Sequence, residues 1–316
     1  MPGSRRIGDR EVTAVGYGAL QLSVEGRPPE PEGLAMLRAV FDSGTTLIDT
    51  ADSYCMNRDE VGHNERLVRR ALEEWSGDRG QIMVATKGGH YRPGDGSWRV
   101  DGRPAVLRAA CERSLRALGV DVIDLYQFHR PDPEVPFAES IGALRDLRQA
   151  GMVRLVGISN VSVEQIAEAR QIVEISSVQN EFSPDFWSSS QELGLCTSLD
   201  IAFIAYGPLG GRNGARRIGD RHPVLAAIAN DHGVSPQRVA LAWELAQSTK
   251  VIVIPGGRNI APFLDDIEAG AMLLSEQEIA ALGGAVSRRA SVTGYLEPGD
   301  GDIATGATEH ECRPPE

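Results

Sequence analysis

The chain has 316 residues, 41% hydrophobic and 24% charged, enough for one large domain or two ordinary ones around a sizeable core. A formal net charge of -12 argues against nucleic acid or an anionic membrane surface as the main partner, while still admitting a local basic pocket. The four cysteines, Cys55, Cys111, Cys196 and Cys312, stand far apart with no CxxC pair, so neither a disulfide frame nor a zinc site is expected.

The first residues lack the apolar core of a signal peptide, and no apolar run approaches the roughly 20 residues of a membrane span. A cytoplasmic protein with reduced thiols is the expectation, monomeric or homo-oligomeric.

Along the chain, residues 5–15 carry the turn signal Gly8-Asp9 and predict a hairpin ahead of the main fold. Residues 15–22 read as the first barrel strand, with glycines where backbone or ligand comes close. Strand and helix patterns then alternate. Helices are predicted over 32–43, 64–75, 104–118, 136–150, 162–170, within 188–199, and over 224–232, 236–246 and 260–269. The strands between them cover 47–49, 82–86, 122–129, 153–159, 177–180, 201–205 and 251–254.

Eight strand–helix units close a barrel, so the fold class is α/β, a (β/α)8 TIM barrel with an N-terminal β-hairpin. A further helix over 276–286 and a tail over 288–316 complete a single domain of residues 1–316. The tail composition suits disorder, with order expected around 292–296 or a fold over the barrel mouth.

Several apolar runs stop at a polar side chain. They are Leu47-Ile48-Asp49 with Tyr54 shortly after, Val84-Ala85-Thr86-Lys87, Leu125-Tyr126-Gln127-Phe128-His129, and Val156-Gly157-Ile158-Ser159-Asn160. In a parallel barrel the C-terminal strand ends open on one face, so these side chains converge there. A phenol titrates near pH 10, and an adjacent cation lowers that value. Lys87 would supply the cation, Asp49 would hold Lys87, and His129 would orient a carbonyl oxygen while Tyr54 protonates it. Singly, each residue is as well explained by a structural or solvated role; their joint placement carries the catalytic reading.

These segments, with Val178-Gln179-Asn180-Glu181-Phe182 and Ile254-Pro255-Gly256, resemble the aldo-keto reductase family from Gly16 to about Leu282. The resemblance implies a (β/α)8 barrel that binds a nicotinamide cofactor and reduces aldehydes and ketones, with a tetrad of Asp49, Tyr54, Lys87 and His129. It implies Ser159, Asn160 and Gln179 at the nicotinamide carboxamide, Tyr206 stacked on the ring, and Gly207, Pro208, Leu209 and Gly210 over the pyrophosphate. A plain flexible loop also fits that glycine-rich stretch.

At the adenosine end, Pro255, Gly256 and Arg258 would approach the 2′-phosphate, Arg258 as a fork or simply as a solvated helix-start cation. Asp265 and Asp266 stand where the family usually has Glu-Asn, and Pro262 where an arginine is common. NADP(H) is therefore the expected cofactor, with NAD(H) still open.

The loop after Tyr54 is longer and more polar than the family pattern. Asn57, Arg58 or His63 would contact a polar, even sugar-like substrate; the alternative is that Asn64 caps the next helix and the rest is solvated. Trp98 and Trp187 are substrate walls or buried anchors. Cys55 is a reactive thiol or a tolerated loop residue. Two other classes compete: a non-catalytic cofactor-binding subunit like the potassium-channel β subunits, and a metal-dependent hydrolase using Asp49, Asp52, His129 and His90. Paired-histidine spacing for a metal is missing, so no metal site is expected.

Overall fold

The computed structural model describes residues 3–293. The chain opens with an antiparallel hairpin, β1 (Ser4–Ile7) and β2 (Arg10–Thr13), turning at Gly8 with φ 58°. The barrel strands begin with β3 (Tyr17–Gly18), β4 (Leu47–Asp49) and β5 (Met83–Gly88). A small hairpin of β6 (His90–Tyr91) and β7 (Arg99–Val100) then stands outside the main sheet. The barrel resumes with β8 (Ile123–Phe128), β9 (Val153–Ser159), β10 (Ser177–Glu181), β11 (Ala202–Tyr206) and β12 (Val251–Val253).

These eight strands pair in parallel in the order β12-β11-β10-β9-β8-β5-β4-β3. The ends meet through Gly16 N–H to Val253 O at 2.9 Å and Gly18 N–H to Pro255 O at 3.0 Å. At this seam a Cβ on Gly256 would lie 2.7 Å from Gly18 O, so glycine is what lets the two backbones close the barrel.

Successive strand residues face opposite sides. One parity, including Leu47, Met83, Ala85, Leu125, Leu155, Ile204 and Ile252, fills the barrel interior, floored by Ile7 and Val12 of the hairpin. The other parity, including Ile48, Tyr126, Val156, Ile158, Val178 and Phe203, packs outward against the helices. Helix Pro104–Leu118 shows the matching stripe: Leu107, Ala110, Cys111, Ser114 and Leu118 are buried at three- and four-residue steps. Gly119 ends it at φ 67°. Helix Val163–Ile172 starts on a capping box between Ser162 and Gln165.

The strand and helix order matches the expectation, and the differences have local causes. β3 is only two residues because a 3₁₀ turn, Ala19–Leu22, takes over as soon as the seam is made. The segment after Gly207 folds into short helical turns, Gly211–Gly214, Ala215–Arg217 and Ile218–Arg221, entered through Gly210 at φ 75°. The last helix runs Glu276–Thr293, beyond residue 286. That helix takes in the start of the tail expected from residue 288, and the remaining tail expectations, from 294 on, lie outside the described residues. Among the described residues no helix is long and apolar enough to cross a membrane.

Candidate active site

The interior parity that stacks Leu47, Met83 and Leu125 in the barrel continues at the strand C-termini with Asp49, Lys87 and Gln127, and beyond them His129. The apolar layers thus end in a polar one at the mouth. Lys87 is fully buried and donates to three acceptors: Asp49 Oδ1 at 2.5 Å, Thr50 O at 3.0 Å and Tyr54 Oη at 2.9 Å. An ammonium has three N–H groups and no lone pair, so this set saturates it. It follows that the Tyr54 oxygen accepts from Lys87, and the phenol O–H is left to donate elsewhere.

Two amides hold the second oxygen of Asp49: Gln179 Nε2 at 2.8 Å and Gln127 Nε2 at 3.3 Å. Gln127 lies on the same strand face as His129, two residues away. That parity was its only signal in the sequence. Gly157 leaves room for it, since a Cβ there would sit 2.8 Å from Gln127 Cγ and 2.4 Å from Ser177 Oγ.

Burial, reinforced by the Asp49 charge, holds the Tyr54 phenol well above its ordinary range. This corrects the expectation that Lys87 lowers it in the resting site. Desolvation decides, and the Asp49 charge adds to the rise. The phenol is a neutral acid whose conjugate base forms beside an N–H donor already in place. Burial also draws the Lys87 ammonium down, against the opposing pull of Asp49.

His129 is buried with Tyr54 edge-on at 5.8 Å between ring centroids. Burial first, then His90, Lys87 and Arg130, hold it well below the usual imidazole range, so it is neutral. The His90 ring lies 4.0 Å from it, tilted by 34°. Trp98 stands edge-on to Tyr54 at 6.3 Å, on the wall. The sequence reading missed the β6–β7 hairpin that carries His90 and Trp98, because two-residue strands show no period.

Next to this group, Asn160 sits in the left-handed region at φ 58°, which asparagine tolerates. Its side chain donates to His129 O at 2.9 Å and to Ser159 Oγ at 3.1 Å. It accepts from Tyr206 Oη at 2.7 Å and from Arg130 at 3.1 Å. Strand register places Ser159 beside Gln179 and Glu181 beside Tyr206. Ser159, Asn160, Gln179 and Tyr206 therefore form one patch of hydroxyl, amide and flat aromatic surface. Gly207 and Gly210, at φ 62° and 75°, bracket Pro208 and Leu209 in a tight turn that follows it. This donor set suits a planar carboxamide ring with a phosphate-bearing tail.

The remaining expected residues lie farther out. Exposed Arg258 donates to Gly26 O across the mouth. Gly256 serves the seam, beside buried Pro255. Asp265 accepts from Ser235 and Arg238, and Asp266 is buried, pushed up to about 7 by burial and by Asp265. Asn57 caps a 3₁₀ turn by accepting from Asp59 N–H at 3.0 Å. Exposed Arg58 lies over the Tyr91 ring at 4.7 Å. Both sit on the loop that follows Tyr54, and neither contact is with the phenol.

Three open alternatives are decided. Asn64 is not a helix cap: Gly62 precedes the helix His63–Glu74, and Asn64 is buried, joining Thr50 to Ala19 O and Ser23. Trp187 is a core anchor against Phe182 and Trp243, at 4.9 and 5.0 Å. Cys55 is buried, its thiol pushed up to about 11, mainly by burial, and so unreactive.

Behind the site, Asp52 and Glu65 are two buried carboxyls. Burial, then the Glu65 charge, pushes Asp52 up to about 8 from 3.8. A carboxyl raised in the folded state binds its proton more tightly there than when unfolded. Its stabilising contribution is complete below 3.8 and is lost as pH rises through about 8. Urea unfolding near pH 5 and near pH 9 should show wild type losing on the order of a few kcal/mol at the higher pH. Asp52→Asn should shrink that difference. An equal difference in both proteins would assign it to other groups.

Comparison with known proteins gives one consistent family. A family model described as the aldo/keto reductase family matches residues 14–286. The chain is 34% identical over 284 residues to an uncharacterised oxidoreductase of Schizosaccharomyces pombe, covering 89% of each chain. It is 32% identical over 289 residues to pyridoxine 4-dehydrogenase of Escherichia coli, covering 88% of this chain and 96% of that one. An aldo/keto reductase structure from Klebsiella pneumoniae, in complex with NADP and acetate, superposes with a TM-score of 0.75 at 25% identity. It covers 90% of this chain and 95% of that one.

Proposed function

The chain belongs to the aldo/keto reductase family, and from that premise we propose that it is an NADP(H)-dependent oxidoreductase that reduces an aldehyde or ketone to an alcohol, or runs the reverse. The observation that carries this reading is the saturated Lys87, which leaves the Tyr54 O–H aimed at a substrate oxygen. A bound nicotinamide cofactor supplies the hydride. Tyr54 donates the proton to the carbonyl oxygen, and Lys87 stabilises the phenolate that results. Asp49, fixed by Gln127 and Gln179, holds Lys87 on its three acceptors. His129, neutral at working pH, directs the carbonyl oxygen toward Tyr54.

Ser159, Asn160 and the Gln179 carbonyl oxygen would hold the carboxamide, Tyr206 would stack on the ring, and the turn from Gly207 to Gly210 would cover the pyrophosphate. Arg258, already at the mouth, would exchange Gly26 O for the 2′-phosphate. A cytoplasmic location and a small, polar carbonyl substrate complete the reading; monomer and homo-oligomer both suit it.

Titrating the protein with NADPH and NADH, followed by nicotinamide fluorescence, tests the cofactor. NADPH should bind more tightly, and Arg258→Ala should weaken NADPH by about 10- to 100-fold with little change for NADH, as loss of a charge-assisted hydrogen bond predicts. Equal binding of both cofactors, unmoved by the substitution, removes Arg258 from the site. No binding of either removes the reductase reading.

A further inference from the structure

The wall facing Tyr54 is rich in donors and poor in acceptors. It runs from His129 through His90 to Trp98, with ring centroids 4.0 and 5.8 Å apart, and then to Arg92, whose guanidinium lies 4.4 Å over the Trp98 ring. Arg92 is fully buried, an unusual position for a guanidinium. Its Nη2 meets Glu25 and, at 3.4 Å, Gly96 O. Among the described residues, its Nε and Nη1 reach no acceptor, nor does the indole Nε1 of Trp98; His90 Nδ1 is also buried without a partner. Buried donors left unmet cost free energy comparable to lost hydrogen bonds, so a cluster of them beside a reactive phenol points to an acceptor that arrives with the substrate.

We propose that Arg92 and Trp98 form a specificity site for an anionic substituent of the carbonyl substrate, a carboxylate or phosphate several bonds from the reacting carbon. The assignment rests on the reductase reading above. The geometry favours an anion over a neutral polar group, because the unmet Nε and Nη1 donors belong to a cation stacked on Trp98, whose own N–H is also unmet. The resident carboxylate, Glu25, is joined to Arg92 from the loop after β3 and its side chain is 52% exposed. The Trp98 indole lies against the guanidinium, stands edge-on to Tyr54 and adds its own unmet N–H.

The test compares kcat/KM with NADPH for matched aldehydes: 4-carboxybenzaldehyde against 4-methylbenzaldehyde, and glyceraldehyde 3-phosphate against glyceraldehyde. Wild type should prefer the anionic member of at least one pair, and the preferred pair tells carboxylate from phosphate. Arg92→Met should lower that preference by about 10- to 100-fold, chiefly through KM, and Arg92→Lys should restore part of it. A preference absent in wild type, or one that is unchanged in Arg92→Met, overturns the proposal. So does a loss that falls equally on both members of a pair, the mark of a structural role. If Arg92→Met does not fold, Glu25→Gln decides: removing the competing carboxylate should raise the anion preference, and an unmoved ratio overturns the site. Failure to reduce even the neutral aldehydes strikes the reductase reading itself. Reduction with an Arg92-independent ratio strikes this site alone.

Discussion

Tyr54→Phe is expected to lower kcat for carbonyl reduction by about 10²- to 10⁴-fold, the range ascribed to a positioned general acid. NADPH affinity should be nearly unchanged. The loss follows from geometry. The phenol oxygen accepts from Lys87 at 2.9 Å, so its proton points away from the ammonium and toward substrate. Phenylalanine keeps the ring against Trp98 and His129 but removes both the proton and the acceptor. One Lys87 N–H is then unmet, which costs about 1–3 kcal/mol of stability, too little to unfold most domains.

The pH dependence adds an independent check. Burial and Asp49 hold the phenol well above its ordinary range, so the acid stays loaded through neutral and mildly alkaline pH. Reduction by wild type should show no Tyr54 limb there, while alcohol oxidation, which needs the deprotonated form, should climb with pH. A Tyr54→Phe protein that retains ordinary turnover would remove Tyr54 from proton transfer.

The barrel and its mouth were legible because one physical rule writes both. Period-2 alternation fills the barrel with Leu47, Met83 and Leu125, and the same parity turns polar at Asp49, Lys87 and His129 where water and ligand begin. A polar residue ending an apolar run is a local signal. What escaped depends on contacts between distant segments. Gln127 reaches Asp49 only because Gly157 on the neighbouring strand has no side chain in the way. Asn64 stands just before an apolar helical stripe, where a cap also stands, and only the fold shows that it ties helix to loop. Arg92 sits in a glycine-rich turn with no pattern at all, and its burial comes from Trp98 and Glu25 closing over it. Resting phenol acidity was misjudged for a related reason. Desolvation is a property of the packed site, while a nearby lysine can be read from the chain.

Lys87→Met should separate folding from chemistry. Removing the ammonium leaves Asp49 buried at the barrel mouth with only the two glutamine amides, both on Oδ2. A buried carboxylate stripped of its counter-ion typically costs about 3–5 kcal/mol, so the urea midpoint should fall sharply and turnover should be lost. Adding Asp49→Asn removes the uncompensated charge while keeping a side chain of the same shape for Gln127 and Gln179. The double variant should regain most of the stability and none of the activity, because the phenolate formed at Tyr54 still has no cation beside it. Recovery of both would make Lys87 a structural partner of Asp49 only. Unchanged stability in Lys87→Met would mean that Asp49 takes up a proton at little cost, and the ion pair would then be irrelevant to the fold. Loss of activity without recovery of stability in the double variant would point to Thr50 O and Tyr54 Oη, the other two acceptors of Lys87, as the contacts that hold this corner of the barrel together.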